Sequence, residues 1–541
     1  VQRRPTYTVI LLTALLGISP VLRAATVDNA QLQRGQQLYQ QHCLICHQAN
    51  GQGAPGVFPP LAKADYLMAD KRRSIRILCE GIQQAITVNG QRYNNAMPPM
   101  PLNDQQAADV LTYVRNTWGN SGKAVTAEEV KEVRAKTKFP TYEALVAACN
   151  YPSLPPAPAG LALREVARLP DNPAQITGTA DGSRLYSLSR NGDVWRVDTE
   201  RGETRLILKG ARYHGVTNGF VSCVGLELDR EGRLYIAVNA KDETARPVQA
   251  VVTIYRTTDT FNGDPFAPRP WFTTNYPFGL GGFNHCVNHL GIGPDGMLYV
   301  NSGSRTDGNE ASTDPAYSSE GEVPLSACMW RLDPRADRPQ LEIYARGLRN
   351  AFGFAWDQEG RLVASDNGPN ADAPEELNVI REGRHYGFPF QFADWTNKPY
   401  AHTPDAPEGL TFTHPIANLG PDGGFAGKPL YTFDPHSSPA GVVALGNDWP
   451  EGWRGTLLVA RFGNLLKLSR DVGFDVLQVK LVPGAKGDAA ECRSVLAPLG
   501  RPIDFHLAGK RLFIAEYSRS TNHLAGLPAL PGRILELSVK P

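Results

Sequence analysis

The chain has 541 residues, with 55 Lys and Arg against 54 Asp and Glu and a net charge of +1. At about 100–200 residues per domain, that length predicts two or more folding units. The balanced charge argues against a dedicated nucleic-acid or polyanion binder. A hydrophobic fraction of 42% with 20% charged residues excludes a disordered chain and a polytopic membrane protein.

The first segment reads as an export signal over residues 1–25. Arg3 and Arg4 precede an apolar run over 8–22, and Ala24-Ala25 supply small residues suited to cleavage. The run falls short of the roughly 20 apolar residues of a membrane span, although an uncleaved anchor is the alternative. The expectation is a periplasmic protein with no membrane span after processing. Of the 8 cysteines, Cys43 and Cys46 belong to a motif. Some of Cys79, Cys149, Cys223, Cys286, Cys328 and Cys492 could pair in an oxidising compartment, and spacing does not choose among the connectivities.

Residues 29–119 read as a small all-α domain. Over 29–42, Leu32, Gly35, Tyr39 and His42 share a face, and Gly35 would let another helix approach closely. A second helix is predicted over 71–82 and a third from Asn103-Asp104, with Ala107, Ala108, Val110, Leu111 and Val114 at a 3–4 period. Cys43-Leu44-Ile45-Cys46-His47 carries the chemistry. Two thiols one turn apart can add to the vinyl groups of a haem, and the adjacent imidazole can reach its iron. The Pro-rich loop around Met97 and Met100 offers a thioether as the second axial ligand. Residues 30–119 resemble the small class I c-type cytochromes, down to Asp109-Val110-Leu111-Thr112-Tyr113-Val114-Arg115-Asn116 and Trp118-Gly119-Asn120. That resemblance implies Met97 as the iron ligand, with Met100 as the alternative. Residues 120–160 read as a linker, with a short charged helix over 127–136 and a stiff Pro-rich stretch over 151–158.

From about residue 161 the hydrophobic period falls from 3.6 to 2. A turn followed by a short strand recurs six times, at Asp181-Gly182, Glu231-Gly232, Asp295-Gly296, Glu359-Gly360, Arg454-Gly455 and Gly509-Lys510. Several are followed by a second strand, at 194–197, 253–256, 329–332, 465–468 and 533–537. Six hairpin repeats over 161–541 predict an all-β six-bladed propeller, with functional residues on the loops between blades.

Three of those loops stand out, around His285, around Gly347-Leu348-Arg349-Asn350 and around Asn367-Gly368-Pro369-Asn370. Together with His436-Ser437-Ser438 and Gly500-Arg501-Pro502-Ile503-Asp504, they make residues 160–541 resemble the glucose/sorbosone dehydrogenase family. These are quinoproteins that use pyrroloquinoline quinone (PQQ) and calcium. The resemblance implies His285 as general base and Arg349 as the cation beside the quinone oxygen. It implies Asn350, Arg461 and Arg501 as PQQ contacts, and the carbonyls of Gly368 and Pro369 as calcium ligands. Asn284 stands where the family often has an acid that orients the base, with His289 a second candidate for that base. Ile503 stands where the family's pattern has a further arginine. The expected function is oxidation of a sugar or other alcohol, with electrons passing through the fused haem to a respiratory cytochrome or oxidase. The rival is a haem electron-transfer or ligand-binding protein whose propeller no longer binds PQQ.

Overall fold

The computed structural model describes residues 27–136 and 153–540, apart from 55–57, 83, 95–96, 98, 101, 217–218, 281–283, 313, 394–397, 425–429, 465–471, 485–486 and 519–530. The expected export signal, Cys149 and the strand at 465–468 therefore lie outside the described residues. The helical unit starts with α1 (Asn29–His42), capped by the Asp28 side chain, and α2 (Leu44–His47) follows directly. Then come α3 (Asp65–Ala69), α4 (Lys71–Glu80) and α5 (Asp104–Val114). Asn103 and Gln106 close a capping box at the start of α5. The close helix approach expected at Gly35 is present: a Cβ there would sit 2.1 Å from the Asp109 carbonyl on α5.

The charged helix forms as α6 (Ala127–Arg134), but it is not free in a connector. Val125 and Val130 are buried in the helical core beside Ile75 and Leu111. Lys71 pairs with Glu129 at 2.5 Å and Arg134 with Asp104 at 2.8 Å. The sequence left this helix in the linker because its apolar face is only a few valines wide. At the far end of the connector Pro155 is buried and Leu154 packs against the propeller core around Leu161 and Trp449. The last residues of the stiff stretch therefore lie on the propeller.

The propeller has six sheets, antiparallel throughout except for one added strand in blade five. Their first strands are Pro173–Gly178, Val221–Leu228, Val287–Ile292, Phe354–Trp356, Pro439–Ala444 and Pro502–Ala508, opening blades one to six. Each predicted turn joins a first strand to a second. The six turn glycines all have φ between 59° and 78°, the left-handed region that residues with a Cβ avoid. The first strands pack on one another around the ring, and Phe354 of blade four closes onto Gly291 of blade three.

Side chains stitch neighbouring blades by accepting backbone N–H groups. Gln175 Oε1 accepts from Leu226 (2.6 Å), Asn239 Oδ1 from Val287 (3.0 Å), and Asp504 Oδ2 from Ile176 (2.8 Å). Two features have no local signature. Strand Leu161–Arg168 pairs with Arg533–Val539 and completes blade six, so the ring is sealed by residues from both ends of the domain. In blade five, strand Ala417–Pro421 adds parallel to Gly487–Leu496.

Candidate functional site

The cytochrome centre is built on the break between α1 and α2. The Cys43 carbonyl accepts the His47 N–H at 2.9 Å, holding both thiols and the imidazole on one turn. His47 is buried, and its Nδ1 lies 3.0 Å from the Pro59 carbonyl. That partner fixes the proton on Nδ1 and leaves Nε2 with the lone pair an iron needs. Burial raises the Cys43 thiol to about 12 and raises the Cys46 thiol as well. The donor set fits a c-type haem. Met97 is pinned by two backbone hydrogen bonds with Ile82 (2.7 and 2.8 Å) and Met100 by one to Leu78 (2.8 Å). Both side chains pack on the helical core. Gly81 permits this loop to pass, since a Cβ there would meet the Met97 carbonyl at 2.5 Å.

In the propeller, the loops carrying His285 and Arg349 are tied together by one residue that sequence reasoning missed. Ser304 accepts the His285 N–H through its carbonyl (2.9 Å) and donates its own N–H to the Arg349 carbonyl (2.7 Å). The Arg349 backbone N–H donates to Asp366 Oδ2 at 3.0 Å. The buried Arg349 guanidinium reaches from blade three to the Asn367–Asn370 loop. Nη2 donates to Asp307 Oδ1 (2.6 Å), Nε to the Asp307 carbonyl (3.1 Å) and Nη1 to the Asn367 carbonyl (3.0 Å). Asp307, also unsuspected from sequence, accepts the Asn370 N–H at 3.0 Å and the Tyr400 hydroxyl. It lies in the long loop between the second and third strands of blade three, Leu298–Ser302 and Cys328–Leu332.

Arg349 and Asn350 are bonded to Asn367 at the start of the Asn367–Asn370 loop, and the Arg349 charge acts on His285. Burial and the Arg349 charge hold the His285 imidazole well below its ordinary pKa, so it is a neutral base. Its Nε2 is buried without a hydrogen-bond partner. Asn284 does not orient it: the Asn284 side chain accepts from Gly279 and donates to Cys286 Sγ. His289 lies on the first strand of blade three, against Phe354 and 3.3 Å from Gln175, and burial lowers it to about 3. Gly368 donates its N–H to Glu375, and His436 reaches Asp372 of the same loop at 2.6 Å. Among the described residues no donor reaches the Gly368 or Pro369 carbonyls. Two carbonyls that no donor reaches and a buried, unpartnered imidazole nitrogen are polar atoms left for a bound group, which suits a calcium-bound organic cofactor.

The two remaining arginines have protein partners of their own. Arg461 makes a bidentate pair with Asp475 (2.8 and 2.7 Å) and also donates to Asp434 and the Gly423 carbonyl. It was expected at the cofactor, yet its donors are spent on blade five, where they neutralise buried carboxylates. Arg501 stacks on Phe462 (4.7 Å) and Phe474 (4.9 Å) and donates to the carbonyls of Gly463 and Asn464. Ile503 packs into the core with Ala440 and Phe513. No disulfide joins any two of the seven described cysteines.

Comparison with known proteins agrees with this division. The cytochrome c profile matches residues 32–118 and the glucose/sorbosone dehydrogenase profile residues 171–478. Cytochrome c-552 of Thermus thermophilus is 42% identical over 116 residues, covering 20% of this chain and 88% of that protein. The cytochrome c subunit of a quinone alcohol dehydrogenase from Gluconobacter oxydans is 31% identical over 103 residues, 18% of this chain and 22% of that one. Quinoprotein glucose dehydrogenase B of Acinetobacter calcoaceticus is 29% identical over 126 residues, 20% of this chain and 26% of that one. The PQQ-bound aldose sugar dehydrogenase of Streptomyces coelicolor superposes with a TM-score of 0.47 at 21% identity, over 71% of this chain and 100% of that one. The molecule is a six-bladed propeller that carries its own c-type cytochrome domain, an architecture of oxidoreductases. The chain belongs to the glucose/sorbosone dehydrogenase family.

Proposed function

We propose that this protein is an exported, periplasmic quinoprotein dehydrogenase that oxidises a sugar or another alcohol at the propeller axis and passes the electrons to its own haem. PQQ would accept the hydride as a two-electron acceptor, with calcium as its Lewis acid, and the haem would carry the electrons onward singly to a respiratory cytochrome or oxidase. The observation that carries this reading is the juxtaposition of a neutral His285, its Nε2 unpartnered, with the buried Arg349 guanidinium. His285 would take the substrate hydroxyl proton as hydride leaves the carbon. Arg349, held by Asp307 and the Asn367 carbonyl, would stabilise negative charge developing beside it. Gly368 and Pro369 would supply carbonyl oxygens to calcium, and Arg501 is the cation nearest in kind to a carboxylate clamp.

Reconstitution tests this. Purified protein supplied with PQQ and calcium should reduce a redox dye with some members of a panel of aldoses, sugar alcohols and simple alcohols, and should do so only with both additions. Ile503 in the core and the commitment of Arg501 to main-chain carbonyls favour a second reading, a haem protein whose propeller does not hold PQQ. That reading requires no calorimetric PQQ binding and no dye reduction with any substrate.

A further inference from the structure

Three buried asparagines form a chain of amides that ends at the candidate site. Asn301 lies on the second strand of blade three, Asn288 on its first strand, and Asn350 on the loop that opens blade four. Their exposures are 0%, 3% and 7%, so they are shielded from bulk water. Asn301 Nδ2 donates to Asn288 Oδ1 at 2.7 Å, and Asn288 Nδ2 donates to Asn350 Oδ1 at 2.5 Å.

The rest of Asn350 is already committed. Its N–H donates to Asp366 Oδ1 at 2.5 Å. Its carbonyl accepts from the N–H groups of Phe352 (2.7 Å) and Asn367 (3.1 Å). Its Nδ2 is its one polar atom with no partner among the described residues. A carboxamide keeps its shape when it turns over but exchanges donor for acceptor. If Asn350 alone turned, its NH2 would face the NH2 of Asn288. If Asn288 turned too, it would confront Asn301. The three amides therefore turn over only as a set, so Asn350 cannot turn by itself without setting its NH2 against that of Asn288; at the far end Asn301 Oδ1 is buried with no partner among the described residues.

We infer that Asn288 and Asn301 are positioning residues that hold Asn350 with its NH2 toward the site, where it donates to an acceptor oxygen of the bound group. The inference rests on the function proposed above, because that oxygen is taken to belong to PQQ. Neither positioning residue touches the ligand. They act by fixing which end of one amide it meets.

The test is calorimetric titration of PQQ, with calcium present, into the full-length haem-loaded protein at pH 5.5 and pH 8.5. Asn288→Asp keeps the shape, but an ionised carboxylate only accepts and so draws the Asn350 NH2 away from the site. Its affinity should fall roughly 10- to 100-fold at pH 8.5, the worth of one hydrogen bond to a charged acceptor. Much of the loss should be recovered at pH 5.5, because burial at position 288 lifts the new carboxyl above its ordinary value of about 4 and lets it donate again. Asn288→Leu should be weakened at both pH values without that recovery. Both variants binding within about twofold of the parent at both pH values would overturn the inference. So would a deficit in Asn288→Leu that comes with a lowered melting temperature while Asn288→Asp shows no dependence on pH, since that marks a packing role. A parent that binds no PQQ removes the proposed function and this inference with it, an outcome distinct from a parent that binds and variants that match it.

Discussion

Single residues at the two centres make separable predictions. His47 is set by the Pro59 carbonyl, whereas the choice between Met97 and Met100 rests on which thioether reaches the iron. Met97→Ala should keep covalent haem but lose the thioether-to-iron absorption band and lower the potential. If Met97→Ala retains both and Met100→Ala loses them, the ligand is Met100. At the propeller site, His285→Ala should still bind PQQ while turnover falls roughly 10²–10⁴-fold, the usual worth of acid–base catalysis. A loss under about tenfold would mark His285 as structural. Because burial and Arg349 lower the His285 pKa, the neutral base persists as pH falls. The acid limb of kcat/KM should therefore lie below the 6.5 of an ordinary histidine, and a limb at or above 6.5 contradicts the assigned environment. His285 and Arg349 were legible as residues because their loops carry a recognisable order of motifs. Ser304, Asp307 and Asn288 were not, since each acts through a partner brought near only by the ring: Asp307 finds Arg349 42 positions along the chain.

At the level of elements, what could be read was local. A Gly turn followed by alternating residues announces a hairpin within a dozen positions, so all six blade openings were visible. The strand Leu161–Arg168 was not, because its partner lies some 370 residues away and nothing local encodes that pairing. Helix α6 was seen as a helix but not as part of the cytochrome core, since its docking face depends on α4 and α5. The seal of blade six has its own chemistry. Arg533 is buried between Glu516 and Glu165, donating to the first through Nε and to the second at 3.1 Å, so one guanidinium ties three strands of that sheet. Arg533→Met leaves Glu516, 0% exposed, as an uncompensated buried carboxylate. It should destabilise the propeller by about 3–5 kcal/mol, read as a lower denaturant midpoint. A change under about 1 kcal/mol would show that the seal rests on backbone pairing alone.

Across the whole molecule, two carboxyls stitch blades near the axis. Asp504 accepts from blade one and is pushed up to about 7 by burial; Glu227 accepts from Ile292 of blade three and is pushed up to about 8, mainly by burial. Unfolded, both would release their protons near pH 4. The native state therefore binds more protons between pH 4 and 8, and this contribution to stability is present below that window and lost as pH rises through 7 to 8. Melting temperature should fall across that range in the parent and less steeply in Glu227→Gln; equal slopes would return Glu227 to the ordinary carboxylates. If the two domains work as one machine, substrate should reduce the haem at a rate independent of protein concentration. The Cys43→Ala/Cys46→Ala protein should still turn over with a dye but fail with a cytochrome acceptor. A haem-reduction rate proportional to protein concentration would mean exchange between molecules. The strand that completes blade six also sets an order of assembly. Residues 43–47 are synthesised almost 500 positions before Arg533–Val539, and the ring has no closed form until that last strand meets Leu161–Arg168. Pairings so distant in sequence form slowly. The cysteines can thus receive their haem while the propeller is still an open arc, and closure of the ring is the last step in the assembly of the molecule.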